Sequence, residues 1–243
     1  MRYYLNYKTV FLCFIFLLAI CFTSCGVFNK TADNVLHDVY NDNSSPNETK
    51  TIIIDPGHGG MDGGAVGING CLEKDINLNI SRYIMYFCRL SGINCVLTRS
   101  EDVMLIPKYN GSVNKKRADL VARTEIADSF ENSVFVSIHQ NNFSIGKYNG
   151  LQVFYSPNNE SGEYLAEIIS NRNRSMIDGN NTREIKKAGT EIYILDNIRK
   201  PAVLVECGFL SNADEAKKLS TEEYQKKIAF MIYVSLMDFI YTN

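Results

Sequence analysis

Three unbroken apolar runs, Ile52-Ile53-Ile54, Val134-Phe135-Val136 and Val203-Leu204-Val205, each lead into a polar residue able to carry chemistry: His58, His139 and Glu206. Runs this short, without polar alternation, suit strands buried on both faces, as in a parallel sheet covered by helices. Between them the period changes, with Ile76, Ile80, Ile84 and Phe87 on one helical stripe and Ile228, Ile232, Leu236 and Ile240 on another. Strands are expected at Thr51–Asp55, Asn94–Thr98, Val134–His139, Leu151–Tyr155, Glu191–Leu195 and Ala202–Glu206. Helices are expected at Asp75–Leu90, about Lys115–Ser129, Glu160–Met176 and Thr221–Tyr241, with Asp75 as the cap of the first. This alternation predicts an α/β fold in a single domain: a mainly parallel twisted sheet of about six strands with helices on both faces. Ser100 to Asn114, containing Pro107 and Gly111, is the expected rim loop.

The chain has 243 residues, 45% hydrophobic and 21% charged, enough for one well-buried core. A formal net charge of -2 gives no polybasic footprint, so nucleic acid is excluded as a partner class and substrate recognition must be local. Arg2 and Lys8 precede a 13-residue apolar run, Val10 to Phe22. That is short for a spanning helix of roughly 20 residues, so residues 1–25 read as a signal peptide or membrane anchor. Phe22-Thr23-Ser24-Cys25 resembles a lipoprotein cleavage box; lipidation at Cys25, simple cleavage and an uncleaved anchor all leave the protein outside the cytoplasmic membrane. Residues 26–50, rich in Asn, Asp and Ser from Asn29 onward, read as a polar linker, and 51–243 as the catalytic domain. Cys71, Cys88, Cys95 and Cys207 form no C-x-x-C pair, so neither structural zinc nor a disulfide is expected.

In open α/β sheets ligands bind beyond the carboxyl ends of the strands, so three strands delivering His58, His139 and Glu206 describe one site. The chain has three histidines, and His37, in a polar stretch, is a bystander. Two histidines and one carboxylate, with an open coordination position, make a catalytic zinc set, and a further carboxylate outside it supplies acid/base chemistry. Glu206 takes the second role. For the first, Glu73 competes with Asp55, Asp62 and Asp75; Asp55 is suited to closing the turn before Pro56, and Asp75 to capping. Glu73 in a helical first turn also suits a surface charge favoured by the helix dipole. Cys207 invites a nucleophile reading, but adjacent strand residues face opposite ways, so Cys207 is expected to pack beneath the site. Arg99 and Arg123 are suited to binding peptide carboxylates, but each is read as a structural salt bridge and left out of the catalytic set.

Several motifs in order then carry a family resemblance from Thr51 to the C-terminus: Asp55-Pro56-Gly57-His58-Gly59-Gly60, Glu73-Lys74, Thr98-Arg99, Leu120 with Arg123, Ser137-Ile138-His139 with Asn141, and Pro201 to Glu206 with Gly208-Phe209-Leu210-Ser211-Asn212. The chain resembles the zinc-dependent N-acetylmuramoyl-L-alanine amidases of the amidase_3 type. Gly64-Ala65-Val66-Gly67 and Lys115 to Leu120 resemble the germination-specific, spore-cortex branch. Asn142 and Asp128 depart from the family pattern, and neither is a proposed ligand.

The resemblance selects Glu73 over its rivals, so His58, Glu73 and His139 are assigned to one Zn2+ ion, Glu206 to acid/base chemistry, and Asn141 to the substrate. It implies cleavage of the amide joining N-acetylmuramic acid to the L-alanine of the stem peptide, with a role in forming muramic lactam in the spore cortex. Peptidoglycan is then the substrate. An accessory or activating protein is kept as a further partner, and membrane contact is confined to the N-terminal segment. Expected localisation is extracytoplasmic, including the forespore intermembrane space. Two rivals stand beside this reading: a non-haem iron enzyme, whose facial triad uses the same ligand types, and a wall-binding protein with an inactive or structural metal site.

Overall fold

A computed structural model describes residues 50–105 and 114–242. The leader, Cys25, His37, most of the linker and the Pro107–Gly111 part of the expected rim loop lie outside the described residues. Six strands form one sheet: β1 (Thr51–Pro56), β2 (Cys95–Leu97), β3 (Ser133–Asn141), β4 (Gln152–Tyr155), β5 (Lys186–Lys187) and β6 (Ala202–Phe209), in the order β2-β1-β3-β6-β4-β5. The pairs β1–β2, β1–β3, β3–β6 and β4–β5 are parallel, and β4 runs antiparallel to β6. The helices of the described residues are α1 (Glu73–Leu90), α2 (Lys115–Asp128), α3 (Glu160–Met176), α4 (Tyr193–Asn197), α5 (Ala213–Leu219) and α6 (Glu222–Thr242). None is long and apolar enough to cross a membrane.

Strand alternation sorts the core into two layers. Ile52, Ile54, Val134, Val136, Ile138, Val203, Val205 and Cys207 face α1, α3 and α6, where Ile80, Ile84, Leu165, Ile169, Ile232 and Leu236 are fully buried. Ile53, Phe135, Ala202 and Leu204 face the other way, against Ala127 of α2 and Ile194 and Leu195 of α4. Each buried Val, Leu, Ile or Phe side chain contributes about 1.5–3 kcal/mol, which explains why the three apolar runs occupy adjacent central strands. Their carboxyl ends therefore lie side by side.

The structure corrects several expectations. Glu191–Leu195 is not a strand: the backbone N–H of Asp196 donates to the Ile192 carbonyl and that of Ile198 to Ile194, making the short helix α4, while β5 lies at Lys186–Lys187. The four apolar residues Ile192 to Leu195 bury themselves equally well either way, and here one face of a helical turn suffices to cover Ile53 and Phe135. Asp75 is not a cap. Helix α1 starts two residues earlier, Leu72 occupies the cap position without a side-chain bond, and Asp75 is exposed in the first turn. Helix α5 was not expected, although Asn212 accepts from the N–H groups of Asp214 and Glu215, a cap signal visible in the sequence.

Candidate metal centre

His58 stands just past β1 in a turn that few residues tolerate. Its φ is 61°, the left-handed region that non-glycine residues avoid. The turn is held by its carbonyls. Arg123 donates to Pro56 O at 2.8 Å and His58 O at 2.6 Å; Arg99 donates to Pro56 O at 2.9 Å and Gly57 O at 3.0 Å. His58 Nδ1 lies 3.0 Å from Asp62 Oδ2, at ion-pair distance though short of hydrogen-bond alignment, which leaves Nε2 aimed at Glu73.

Glu73 enters from the opposite side of the sheet, on the first residue of α1. Its Oε1 lies 3.2 Å from His58 Nε2 and 3.0 Å from His139 Nδ1, and it accepts the Gln140 backbone N–H at 3.0 Å; Oε2 accepts the Ala65 N–H at 2.8 Å. Asn77, one turn further along α1, donates to Gly57 O at 3.2 Å and receives Gln140 Nε2 at 3.1 Å, tying α1 to both histidine strands. The approach depends on two glycines. A Cβ on Gly57 would fall on the His139 ring, and one on Gly64, whose φ is 66°, would come within 2.6 Å of Glu73 Oε2.

His139 and Glu206 are register partners across the parallel β3–β6 pair, so both leave the same face at the carboxyl edge. Glu206 Oε2 is buried with no hydrogen-bond partner among the described residues. Burial pushes its carboxyl up to about 7, with Glu73 adding to the rise and the His139 and His58 rings opposing it. Burial alone would raise Glu73 as well, but hydrogen bonds from His139 and His58 hold it well below the usual carboxylate range. Asn141 lies one pleat beyond His139, paired with Phe209 across a bulge. Cys207 is 2% exposed and packs in the core, and burial pushes its thiol well above the ordinary cysteine value, away from any nucleophilic role.

The ion-pair network beneath the site was only partly legible. Asp55 does not close a turn: it is buried, 2.6 Å from Arg123 Nη1, and also accepts from Thr98 Oγ1 at 2.6 Å and Ser137 Oγ at 2.7 Å. Arg123, 1% exposed, binds Asp119 at 2.7 Å as well, as the salt-bridge reading expects. Arg99 departs from that reading. Its partners are the carbonyls of Pro56, Gly57, Lys74 and Glu101, and no carboxylate pairs with it among the described residues. Asp62 beside His58, with Lys116 at 3.5 Å, stands behind the site rather than in it.

The donor set suits a divalent cation. One ligand atom each from His58, Glu73 and His139 lies within 4.8 Å of the others, two of them nitrogens and one an anionic oxygen. The His58 and His139 rings meet edge to face with centroids 4.9 Å apart, so both nitrogens converge on the same carboxylate. With the unpartnered Glu206 oxygen beside them, the pocket carries more acceptor than donor capacity, which a cation complements.

Residues 52–238 match the family model described as N-acetylmuramoyl-L-alanine amidase. The chain is 36% identical over 195 residues to the germination-specific N-acetylmuramoyl-L-alanine amidase of Bacillus subtilis, covering 80% of this chain and 81% of that protein. Among solved structures, the CwlD amidase from Clostridioides difficile, determined in complex with the GerS lipoprotein, superposes with a TM-score of 0.76 at 38% identity, over 80% of this chain and 100% of that one. The AmiC2 amidase of Nostoc punctiforme gives a TM-score of 0.67 at 32% identity, over 79% and 97% of the two chains. With the family model, the sequence identity and the overall fold in agreement, the chain belongs to the N-acetylmuramoyl-L-alanine amidase family.

Proposed function

We propose that the protein is a zinc-dependent peptidoglycan amidase that cuts the bond between N-acetylmuramic acid and L-alanine, with His58, Glu73 and His139 holding one Zn2+ ion. The convergence of those three donors beside an unpartnered buried carboxylate, Glu206, carries the reading. When bound, zinc supplies Lewis acidity towards an amide carbonyl and acidifies water. Glu206 takes the proton of the attacking water and returns it to the leaving nitrogen; its elevated proton affinity suits both halves of that task. Asn141, on the same edge, orients the substrate. Asp62 orients His58, and the arginine-held carbonyls keep its turn from relaxing.

The spore-cortex role, in which peptide removal prepares muramic lactam, is supported by likeness to the germination-specific amidase. The complex in which CwlD was solved supports an accessory protein for this chain too. Residues 1–25 act as signal or anchor, 26–50 as linker and 51–243 as the catalytic domain, with the enzyme extracytoplasmic. Mass spectrometry of peptidoglycan incubated with the zinc-loaded full chain tests the activity. Free stem peptides beginning with L-alanine are expected; intact peptidoglycan at measured full zinc occupancy would overturn it.

A further inference from the structure

A fixed cation stands on the far side of Glu206 from the histidines. In the antiparallel β4–β6 pair Gln152 is the register partner of Glu206, so both side chains leave the same face, about 4.8 Å apart along the hydrogen-bonding direction. Gln152 Oε1 accepts from Arg183 Nη1 at 3.1 Å, and Arg183 Nε donates to Asn149 O at 2.6 Å. The guanidinium carbon lies 4.3 Å from the ring centroid of Phe209, itself the register partner of Asn141, and 5.9 Å from that of Tyr148. Four contacts thus immobilise a half-buried guanidinium at the edge that bears the site.

No direct ion pair neutralises its charge. No carboxylate lies within ion-pair distance of Arg183 among the described residues, and Nη2 makes no hydrogen bond there. Glu215, which feels Arg183 at longer range, gives its oxygens to the N–H groups of Gly150 at 2.9 Å and Phe209 at 2.8 Å. An arginine stacked on an aromatic face keeps its outer N–H edge available, and a planar donor pair fits a carboxylate. An ordered guanidinium without an anion, one strand from the acid/base, is matched by an anion on the substrate.

On the amidase reading, the leaving peptide begins with L-alanine, and a carboxylate on the residue that follows would supply the anion that Arg183 lacks. An extended chain advances about 3.3–3.6 Å per residue, so one step from the cut bond spans most of the gap between neighbouring strands. We propose that Arg183 receives the free carboxylate of the residue following L-alanine and so determines specificity, an inference that rests on that amidase reading.

The test uses the zinc-loaded full chain and two synthetic N-acetylmuramoyl-L-alanyl peptides that differ only in a free or an amidated carboxylate on the second residue. The wild type is expected to favour the acid by about 10- to 100-fold in kcat/KM, the range of a hydrogen bond to a charged group. Arg183→Gln brings the ratio close to one by lowering turnover of the acid alone, and Arg183→Lys gives an intermediate ratio, with circular dichroism monitoring the fold of both. An unchanged ratio in Arg183→Gln, or a wild type cleaving both peptides equally, overturns the assignment and leaves the amidase reading intact. A wild type that cleaves neither overturns both.

Discussion

Arg123 and Asp55 meet at 2.6 Å with both side chains almost wholly out of solvent, and the same guanidinium holds the carbonyl of His58. The contact that stabilises the sheet end thus also sets the turn from which one proposed ligand departs. Replacing Arg123 by Leu leaves Asp55 and Asp119 buried without their cation. A loss of about 3–5 kcal/mol is expected, as for removal of one member of a buried pair. Denaturant unfolding checks it, and a midpoint unchanged from wild type would contradict the buried-pair account.

The same pair gives the protein an acid limit. Burial by itself would raise the Asp55 carboxyl, but the charge of Arg123 and the hydroxyls of Thr98 and Ser137 more than offset this and hold it below the ordinary value. A carboxyl depressed in the folded state stabilises the protein fully above its unfolded pKa, about 3.9 for aspartate, and that contribution disappears as pH falls through the lower folded value. Thermal melting should therefore weaken below about pH 4. In Asp55→Asn that part of the pH dependence should vanish, and an identical acid profile in wild type and variant would sink the attribution.

Coordination and proton transfer should separate by mutation. His58→Ala, Glu73→Ala and His139→Ala are each expected to leave purified protein with well under about one zinc per chain, since three protein ligands leave no spare. Glu206→Gln should retain zinc while losing about 10²- to 10⁴-fold in turnover. Elemental analysis with a peptide-release assay makes the comparison. Full zinc in Glu73→Ala would remove it from the ligand set, and metal loss in Glu206→Gln would make Glu206 a ligand.

Gly57→Ala tests whether the site depends on backbone proximity. The added methyl would occupy the position of the His139 imidazole, so the ring must move. Zinc affinity is expected to fall by about 10- to 100-fold, the range seen when groups supporting a ligand are disturbed, with far-UV circular dichroism unchanged. Wild-type affinity in competition with a chelator would show that His139 does not need its present position.

The central strands were legible because an apolar run such as Ile52-Ile53-Ile54 has little alternative to burial, and His58, His139 and Glu206 were legible because each ends such a run. Glu73 was not, on physical grounds alone: an acid in a helical first turn looks the same whether it faces solvent or a pair of imidazoles. The buried roles of Asp55 and Arg99 were hidden for a related reason, since the side-chain partners of Asp55 lie 43 to 82 positions away in the chain and the Pro56 carbonyl that Arg99 holds lies 43 away. Arg183 gave no sequence signal, because its meaning depends on the antiparallel placement of β4 beside β6.

The proposed ligands come from a turn after β1, the start of α1 and the end of β3, and no local segment holds all three. A chain in which β3 has not yet docked offers His58 and Glu73 but no third donor. Metal capture and assembly of the sheet are then a single event. With zinc held as proposed, its availability becomes a lever on folding yield as well as on catalysis, raising apparent stability in proportion to the logarithm of its concentration above Kd, and a chelator added during refolding would act on the fold itself.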